Sequence, residues 1–310
     1  MFKFSQHLSV SNFFCLQGLK NLAELATLSN KTSQAREYKA AAGGLQAVMA
    51  AQMWNASLLN GSGAFCDGSC TEDTDHNGVT TNQWSLFTDS LPAASVQGAW
   101  EQVANYGLEG TGDYGAFIYL AALNKYAGDD GSATLTALTK CDADSWCGEM
   151  KTYNATMTRE TWTGGTYSHG WGVGAITGVA GGIMGIVQTA PAFGTFTVKP
   201  RIGSLRSASI KVPSLRGFIT VNASGAATAA GVPCGSVATL CLAHGLPAAA
   251  LQLGDAAAAA AVAAKVRAVR LDGDTIEAGW ALLDVARRHV CVREVGCGAG
   301  GAPRTVTFEE

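Results

Sequence analysis

The chain has 310 residues, of which 47% are hydrophobic and 15% are charged, and its net charge at pH 7 is −3. This length suits roughly two domains of ~150 residues, and the apolar share is sufficient for a large buried core. The near-neutral balance provides no basic patch, so a nucleic-acid partner is not expected.

The sequence shows no segment typical of a signal peptide or a membrane span. The first ten residues, MFKFSQHLSV, lack a continuous apolar run and a small-residue cleavage site. The most apolar long stretch, residues 172–188, is rich in glycine, has no flanking basic anchors and is barely long enough to cross a bilayer. It predicts a buried helix, and no membrane partner is expected.

Cysteine and asparagine patterns favour an oxidising, secretory environment. Eight of the nine cysteines lie close together in pairs, which are Cys66 and Cys70, Cys141 and Cys147, Cys234 and Cys241, and Cys291 and Cys297. Asn-x-Ser/Thr sequons occur at Asn30, Asn55, Asn60, Asn154 and Asn222. We therefore expect a secreted protein, or one in a secretory, lysosomal or vacuolar lumen. The alternative is a cytosolic protein with free thiols.

Apolar residues at helical spacing predict that the first 190 residues are mainly helical. The predicted helices cover residues 8–28, 33–54, 79–90, 94–106, 114–126, 131–139 and 172–188. Loops rich in Gly, Asn, Asp and Ser separate them, most clearly at residues 60–78. Heptads do not persist, so a coiled coil is not expected.

After Pro191 the pattern changes to alternating apolar and polar residues, which is typical of strands. The predicted strands lie in residues 193–203, 204–213, 215–223, 237–243, 249–254, 265–273 and 288–296. Together they predict a β-sandwich over residues 191–310. An Ala-rich insertion around residues 226–265, with DAAAAAAVAAK at 255–265, predicts a loop or a short helical segment.

Two predicted loops carry most of the side chains suited to chemistry. They contribute Asp75, His76 and Trp84 from residues 66–84, and Glu160, Trp162, Tyr167, His169 and Trp171 from residues 159–171. Asp73, Asp75 and Asn77 alternate as in a calcium loop, but the twelfth position is Trp84 instead of an acid. The histidines lack a second histidine at ligand spacing. Neither a metal nor another cofactor is therefore predicted.

Carboxylates among aromatic rings favour sugar chemistry. Sugar rings stack their C–H faces on aromatic side chains, and their hydroxyls bond to acids, histidines and amides. Glycoside hydrolysis needs two carboxyl groups, one as an acid and one as a base or nucleophile. Glu160, partly desolvated by neighbouring rings, could be such a base. The alternative is that Glu160 caps a helix or pairs with Arg159.

A series of segments, in this order, resembles the α-L-rhamnosidases. The segments are TDHNGVTTNQWSLFTDSLP at 74–92, GLEGTGDYGAFIYLAAL at 107–123, SWCGEMKTYNATMTRETW at 145–162 and TYSHGW at 166–171. The tail from residue 191 to 221 is similar to that family's entry into its sandwich domain. The resemblance implies a multidomain α and β protein. Residues 1–190 would be the C-terminal half of an (α/α)6 toroid of the six-hairpin glycosidase type, and residues 191–310 a β-sandwich.

The resemblance also implies roles for individual residues. Glu160 matches the family's general base, His169 matches a histidine that lines the sugar pocket, and Trp162 and Trp171 match aromatic positions beside them. Asp75 and His76 are implied to lie near the pocket, and Tyr167 and Trp84 are further candidate sugar contacts. The implied function is inverting hydrolysis that releases terminal rhamnose from glycosides.

The family's general acid belongs to an earlier segment that contains Asp and Arg. We find no such segment in this sequence. The chain is therefore expected to be a fragment that lacks the acid. The alternative functions are non-catalytic carbohydrate binding, or a glycosidase-like protein whose site has decayed.

Overall fold

The structure is a computed structural model. It describes residues 8–70, 77–127, 130–224, 227–234 and 236–241, and the strand segments 268–271, 274–275, 281–284, 289–295 and 304–309. The candidate residues Asp75 and His76 lie outside the described residues. So do the strand predicted at 249–254 and the Ala-rich run at 255–265.

The chain forms two compact units. Unit 1 consists of Met1–Ala122 and Cys141–Val173, and unit 2 consists of Leu123–Lys140 and Gly174–Glu310. Residues 123–140 and 174–190 thus group with the strand-rich unit, whereas the sequence suggested a boundary at residue 190. That domain boundary stays a prediction.

Helices dominate unit 1 and also begin unit 2. Their bounds are α1 Ser9–Leu28, α2 Thr32–Gln52, α3 Leu58–Gly61, α4 Val79–Phe87, α5 Val96–Tyr106, α6 Gly112–Tyr126, α7 Ser132–Thr139, α8 Trp146–Tyr153 and α9 Ala175–Thr177. Short 3₁₀ turns lie at Ala93–Ser95, Glu109–Thr111, Gly170–Gly174 and Pro191–Phe193, and a π-helical turn at Gly178–Ile183. None of the helices in the described parts of the chain is long and apolar enough to cross a membrane.

A hydrophobic core joins the first helices of unit 1. It contains Phe13, Leu16, Met49, Phe65, Trp84 and Ile118, from α1, α2, α4, α6 and a short strand. Each such side chain stabilises the fold by about 1.5–3 kcal/mol when it leaves water. The six helices predicted between residues 8 and 139 are therefore confirmed, with ends that differ by a few residues.

The last predicted helix, at residues 172–188, is wrong in its C-terminal part. The helical conformation ends at Ile183, and Ile186–Gln188 is a strand. Gly185 causes the change, because it adopts φ +61° and a Cβ there would lie 1.8 Å from the carbonyl oxygen of Lys199. The helix is also not buried throughout, since Ile176 is exposed.

Strands form two small ribbons in unit 1 and two larger sheets in unit 2. Their bounds are β1 Trp54–Asn55, β2 Ala64–Phe65, β3 Arg159–Thr161, β4 Gly164–Tyr167, β5 Ile186–Gln188, β6 Thr195–Val198, β7 Ser207–Ser214, β8 Gly217–Ser224, β9 Ala227–Val232, β10 Val237–Cys241, β11 Ala268–Leu271, β12 Asp274–Thr275, β13 Ala281–Asp284, β14 His289–Val295 and β15 Arg304–Glu309. The two sheets have the strand orders β13-β14-β10-β6-β5 and β12-β11-β15-β9-β8-β7.

Both sheets contribute to one hydrophobic core in unit 2. Phe196 and Leu240 come from the five-stranded sheet, and Ile219, Val221 and Val232 come from the six-stranded sheet. Two sheets that bury their faces in one core are expected of a sandwich. The β-sandwich itself stays a prediction.

The Ala-rich insertion was placed wrongly at its start. Ala227–Val232 is a strand, β9, and it pairs antiparallel with β8 on one side and β15 on the other. Its alternate residues Ala230 and Val232 are buried in the core. Alanine has a weak propensity for strands, but hydrogen bonds to neighbouring strands on both sides hold this segment in the sheet.

Candidate active site

A β-hairpin carries the candidate base. The loop predicted at residues 159–171 contains β3 and β4, which pair antiparallel with Arg159 opposite Tyr167 and Thr161 opposite Gly164. A register shift separates these two pairs and lies at Glu160. Such bulges re-aim a side chain out of the regular ladder.

Glu160 is half-buried and held by two donors from the opposite strand. The main-chain N–H and the hydroxyl of Thr166 both donate to its Oε2, at 3.0 and 3.1 Å. These two hydrogen bonds are the main reason that the pKa of Glu160 lies below its usual value, and the nearby His169 and the Tyr114 hydroxyl lower it further. Glu160 is therefore a carboxylate at neutral pH, as a general base must be.

Neither structural alternative for Glu160 describes its position. Glu160 lies in a strand, so it does not cap a helix. The Arg159 guanidinium is buried and lies over the rings of Tyr153 and Tyr167, at 4.5 and 5.6 Å from their centroids. The carboxylate of Glu160 is thus directed by the hairpin.

Gly165 allows the hairpin to close over Glu160. It adopts φ +81°, and a Cβ at this position would lie 2.5 Å from the Cβ of Glu160 and 2.8 Å from its Oε2. Only glycine fits both the backbone conformation and this close approach. The glycines of this segment therefore have a definite local function.

His169 is fixed by the segment that precedes the hairpin. Its main-chain N–H donates to the carbonyl of Thr158 at 3.1 Å, and the Thr158 hydroxyl donates to the His169 carbonyl at 2.6 Å. Its Nε2 lies 3.4 Å from the hydroxyl oxygen of Tyr114. Its Nδ1 is buried and has no hydrogen-bond partner among the described residues.

Tyr114, His169 and Trp171 form a partly open aromatic group, here called the aromatic trio. The Trp171 ring lies 4.7 Å from the Tyr114 ring and 6.2 Å from the His169 ring, with interplanar angles of 30° and 22°. Tyr114 and Trp171 are 40% and 45% exposed. Exposed, nearly parallel rings beside a carboxylate are suited to stacking against a sugar.

The other predicted sugar contacts are placed differently. Tyr167 is 62% exposed, at the end of the hairpin. Trp162 is buried and packs edge-on against Trp146, with ring centroids 5.2 Å apart. Trp84 is buried in the core of unit 1 and packs against Phe14. Trp162 and Trp84 therefore have packing positions, whereas Tyr167 is exposed and its ring lies 5.6 Å from the buried guanidinium of Arg159, its partner across the hairpin.

Three residues of the site were missed in the sequence. Tyr114 and its neighbour Asp113 belong to the first turn of α6, and Glu149 belongs to α8. Asp113 is only 1% exposed, and neither of its carboxyl oxygens has a hydrogen-bond partner among the described residues. All three lie inside segments that carry the family resemblance, Asp113 and Tyr114 at 107–123 and Glu149 at 145–162, and this was the available signal.

Burial changes the acidity of both buried carboxyl groups. Desolvation raises the pKa of Asp113 to about 6, although nearby His169 acts in the opposite direction. Desolvation, and then the charge of Asp113, raise the pKa of Glu149 to about 7, while Arg159 partly offsets this rise. Glu160 is thus hydrogen-bonded and ionised, whereas the buried Asp113 and Glu149 keep their protons to higher pH.

Two of the pairs of cysteines that lie close together in the sequence are disulfides. Cys66 is bonded to Cys70. Cys141, which precedes α8, is bonded to Cys147 in the first turn of that helix. Cys15 is free and exposed. Within the described residues, no group of three or more His, Cys, Asp or Glu side chains is arranged to hold a metal ion.

A helical unit that presents an ionised carboxylate beside open aromatic rings is typical of glycosidases. Residues 1–175 match the family model of the bacterial alpha-L-rhamnosidase six-hairpin glycosidase domain. This match covers more than half of the chain, and the chain belongs to that family. The comparison with curated proteins found no match.

Solved structures of rhamnosidases share the fold at low sequence identity. The α-L-rhamnosidase of Dictyoglumus thermophilum has a TM-score of 0.70 at 15% identity, and the match covers 96% of this chain and 31% of that one. The Streptomyces avermitilis α-L-rhamnosidase complexed with L-rhamnose has a TM-score of 0.61 at 15% identity, with 96% and 26% covered. The Aspergillus terreus enzyme has a TM-score of 0.59 at 20% identity, with 76% and 28% covered. The chain thus spans less than a third of the length of these neighbours.

Proposed function

We propose that this chain acts in the inverting hydrolysis of terminal α-L-rhamnosides, with Glu160 as the general base. The observation that supports this proposal best is the position of Glu160, an ionised carboxylate beside the aromatic trio in a chain of the rhamnosidase family. The solved structure of a neighbour in complex with L-rhamnose supports rhamnose as the sugar.

In this mechanism the Glu160 carboxylate removes a proton from a water molecule. The water oxygen attacks the anomeric carbon from the face opposite the leaving group, and the glycosidic C–O bond breaks. The hydrogen bonds from Thr166 occupy Oε2. Oε1 is then the oxygen that accepts the proton of the water.

Trp171 and Tyr167 would hold the sugar beside the base. Trp171 offers an exposed ring face next to the His169 imidazole. Tyr167 extends from the hairpin and contributes an exposed ring. Each contact of this kind stabilises a bound sugar by burying its C–H face.

The reaction also needs a general acid to protonate the leaving oxygen. Asp113 and Glu149 have raised pKa values, but their side chains are buried and do not present a proton to a sugar. We therefore assign the general acid to a carboxyl group outside the described residues.

The first test is the release of rhamnose from 2,4-dinitrophenyl α-L-rhamnoside, whose leaving group departs without a general acid, by the folded chain, both unchanged and with the Glu160→Gln substitution. The amide keeps the size of the side chain but cannot accept a proton, so turnover is expected to fall at least about a hundredfold. Binding of L-rhamnose, followed by tryptophan fluorescence, is expected to change less than threefold.

Glu37→Gln, on the exposed surface of α2, is the matched control and should keep full turnover. Turnover by Glu160→Gln equal to that of the unchanged protein would contradict the assignment of the base. Saturable rhamnose binding without any release by the unchanged, folded chain would favour the carbohydrate-binding alternative instead.

A further inference from the structure

The segment that carries Trp171 is an exposed turn whose central residue is buried. Trp171 and Val173, in the 3₁₀ turn Gly170–Gly174, are both exposed, whereas Gly172 between them is buried. Three of the five residues of this turn are glycines, which supply no side chains to pack. We therefore expect the place of Trp171 beside the other rings of the aromatic trio to depend on what holds Gly172.

Gly172 is held on three sides. Its main-chain N–H donates to the carbonyl of His169 at 3.2 Å, and its carbonyl accepts the indole N–H of Trp146 at 2.7 Å. A Cβ at Gly172 would lie 2.7 Å from the Cβ of Thr158 and 3.2 Å from Oδ2 of Asp113, so the backbone lies directly against both side chains. The bond from Trp146 is the shorter of the two hydrogen bonds, and it joins the turn to α8.

Trp146 offers this donor from a fixed position. It is the first residue of α8, and the hydroxyl of the N-cap Ser145 accepts a main-chain N–H of the first turn at 3.0 Å. The disulfide between Cys141 and Cys147 ties the same turn to the segment before it. The Trp146 ring packs edge-on against the buried Trp162, with ring centroids 5.2 Å apart. Backbone and ring are thus both held, and the indole N–H reaches the turn from one direction.

We propose that Trp146 is a positioning residue of the candidate active site, whose indole N–H holds the carbonyl of Gly172 and thereby keeps the exposed ring of Trp171 in place beside Tyr114 and His169. The part that concerns the place of Trp171 depends only on contacts within this chain. The part that concerns the sugar rests on the proposed function, in which Trp171 is a stacking face.

The hydrogen bond and the ring of Trp146 can be separated by substitution. Phenylalanine keeps an aromatic ring against Trp162 but has no N–H, so the carbonyl of Gly172 loses this donor. A carbonyl that loses its partner in a partly buried place is less stable there. The turn is therefore expected to move toward water and to carry Trp171 with it.

The deciding experiment is ¹⁹F NMR of the full chain labelled with 5-fluorotryptophan. The Trp171 signal, assigned with Trp171→Phe, is expected to shift toward the position of solvent-exposed fluorotryptophan and to broaden in Trp146→Phe. Trp54→Phe, which replaces an indole that packs against Phe65 in the ribbon of β1 and β2, is the matched control and should leave the Trp171 signal unchanged. An unchanged Trp171 signal in a folded Trp146→Phe protein would overturn the proposal.

Hydrogen exchange of the unchanged protein tests the same bond without a substitution. The Trp146 indole N–H, identified by its cross-peak with the Trp162 ring in ¹⁵N-labelled protein, is expected to exchange at least about tenfold more slowly than the indole N–H of the exposed Trp171. Equal exchange rates would overturn the proposal even if Trp146→Phe failed to fold.

Kinetics with 2,4-dinitrophenyl α-L-rhamnoside test the part that concerns the sugar. Trp146→Phe should raise KM about two- to tenfold, as expected when one neutral hydrogen bond is lost. It should leave kcat nearly unchanged, because Thr166 still holds Glu160. A merely structural role would lower the amount of folded enzyme, and thus kcat, at an unchanged KM, and this result would contradict the part that concerns the sugar.

The NMR and kinetic measurements together keep this inference apart from the proposed function. An inactive unchanged protein whose Trp171 signal responds to Trp146→Phe would contradict the proposed function and support the positioning role. An active protein whose Trp171 signal does not respond would support the proposed function and overturn the positioning role.

Discussion

At the scale of single residues, the environment divides three carboxyl groups between two roles. Glu160 receives two hydrogen bonds from Thr166 and has a lowered pKa. Asp113 and Glu149 receive no comparable support, and burial raises their pKa values to about 6 and about 7. The same chemical group is thus set to ionise at different pH values by its neighbours.

Asp113 should make the protein less stable as the pH rises. Its pKa is raised in the folded protein from 3.8 to about 6, so between these values the folded state holds a proton that the unfolded state has released. The stability contributed by this group is complete below about pH 4 and is lost as the pH rises to about 6. Asp113→Asn should therefore raise the Tm at pH 7.5 by about 2–4 °C, for roughly 1 kcal/mol, and change it little at pH 4.

Thermal unfolding at the two pH values measures this effect. Asp144→Asn is the control, because Asp144 is half-exposed and removal of its charge should affect both pH values alike. An equal change of Tm at pH 4 and pH 7.5 in Asp113→Asn would show that Asp113 does not hold a proton in the folded state.

At the scale of elements, the hairpin of β3 and β4 is the part that sequence patterns described least well. Its strands have three and four residues and no regular alternation, so the segment was predicted as a loop. Gly165 and the hydrogen bonds of Thr166 decide its shape, and these depend on contacts across the hairpin. Helix α8 was also missed, although α7, which likewise has eight residues, was predicted.

Gly165→Ala should displace Glu160. The substituted residue would be strained at φ +81° and would contact the Glu160 side chain, so we expect a loss of about 1–2 kcal/mol of stability and a fall in rhamnosidase turnover. Gly164→Ala is the matched control, since its Cβ would meet nothing closer than 3.7 Å. Denaturant unfolding and the turnover assay measure the two effects, and equal results for both alanine variants would contradict this account of the hairpin.

At the scale of the whole molecule, disulfides link the cysteine pattern to the environment of the protein. Cys66–Cys70 and Cys141–Cys147 close loops of only a few residues, and each is expected to contribute about 2 kcal/mol by restricting the unfolded chain. We propose, on the cysteines and sequons together, that the protein works in a secretory or extracellular space.

Reduction should therefore lower the free energy of unfolding, and urea unfolding with and without reductant measures the change. Alkylation of the native protein, read by mass spectrometry, should modify Cys15 and leave Cys66, Cys70, Cys141 and Cys147 unmodified. Cys15→Ser is the control, because it removes the free thiol and should not alter the response to reductant. Modification of all five cysteines in the native protein would contradict the proposed disulfides.

The sequence by itself determined the helical first part, six of the strands of unit 2, and the rhamnosidase family with Glu160, His169 and Trp171 as its candidate residues. These features depend on periodicity, local spacing and ordered motifs, which are written along the chain. The tertiary structure alone decided that Trp162 and Trp84 are buried, that Ala227–Val232 is a strand, and that Tyr114 contacts His169 and Trp171. Burial, strand pairing and pKa are properties of neighbours in space, and residue 114 becomes a neighbour of residues 169 and 171 only when the chain has folded.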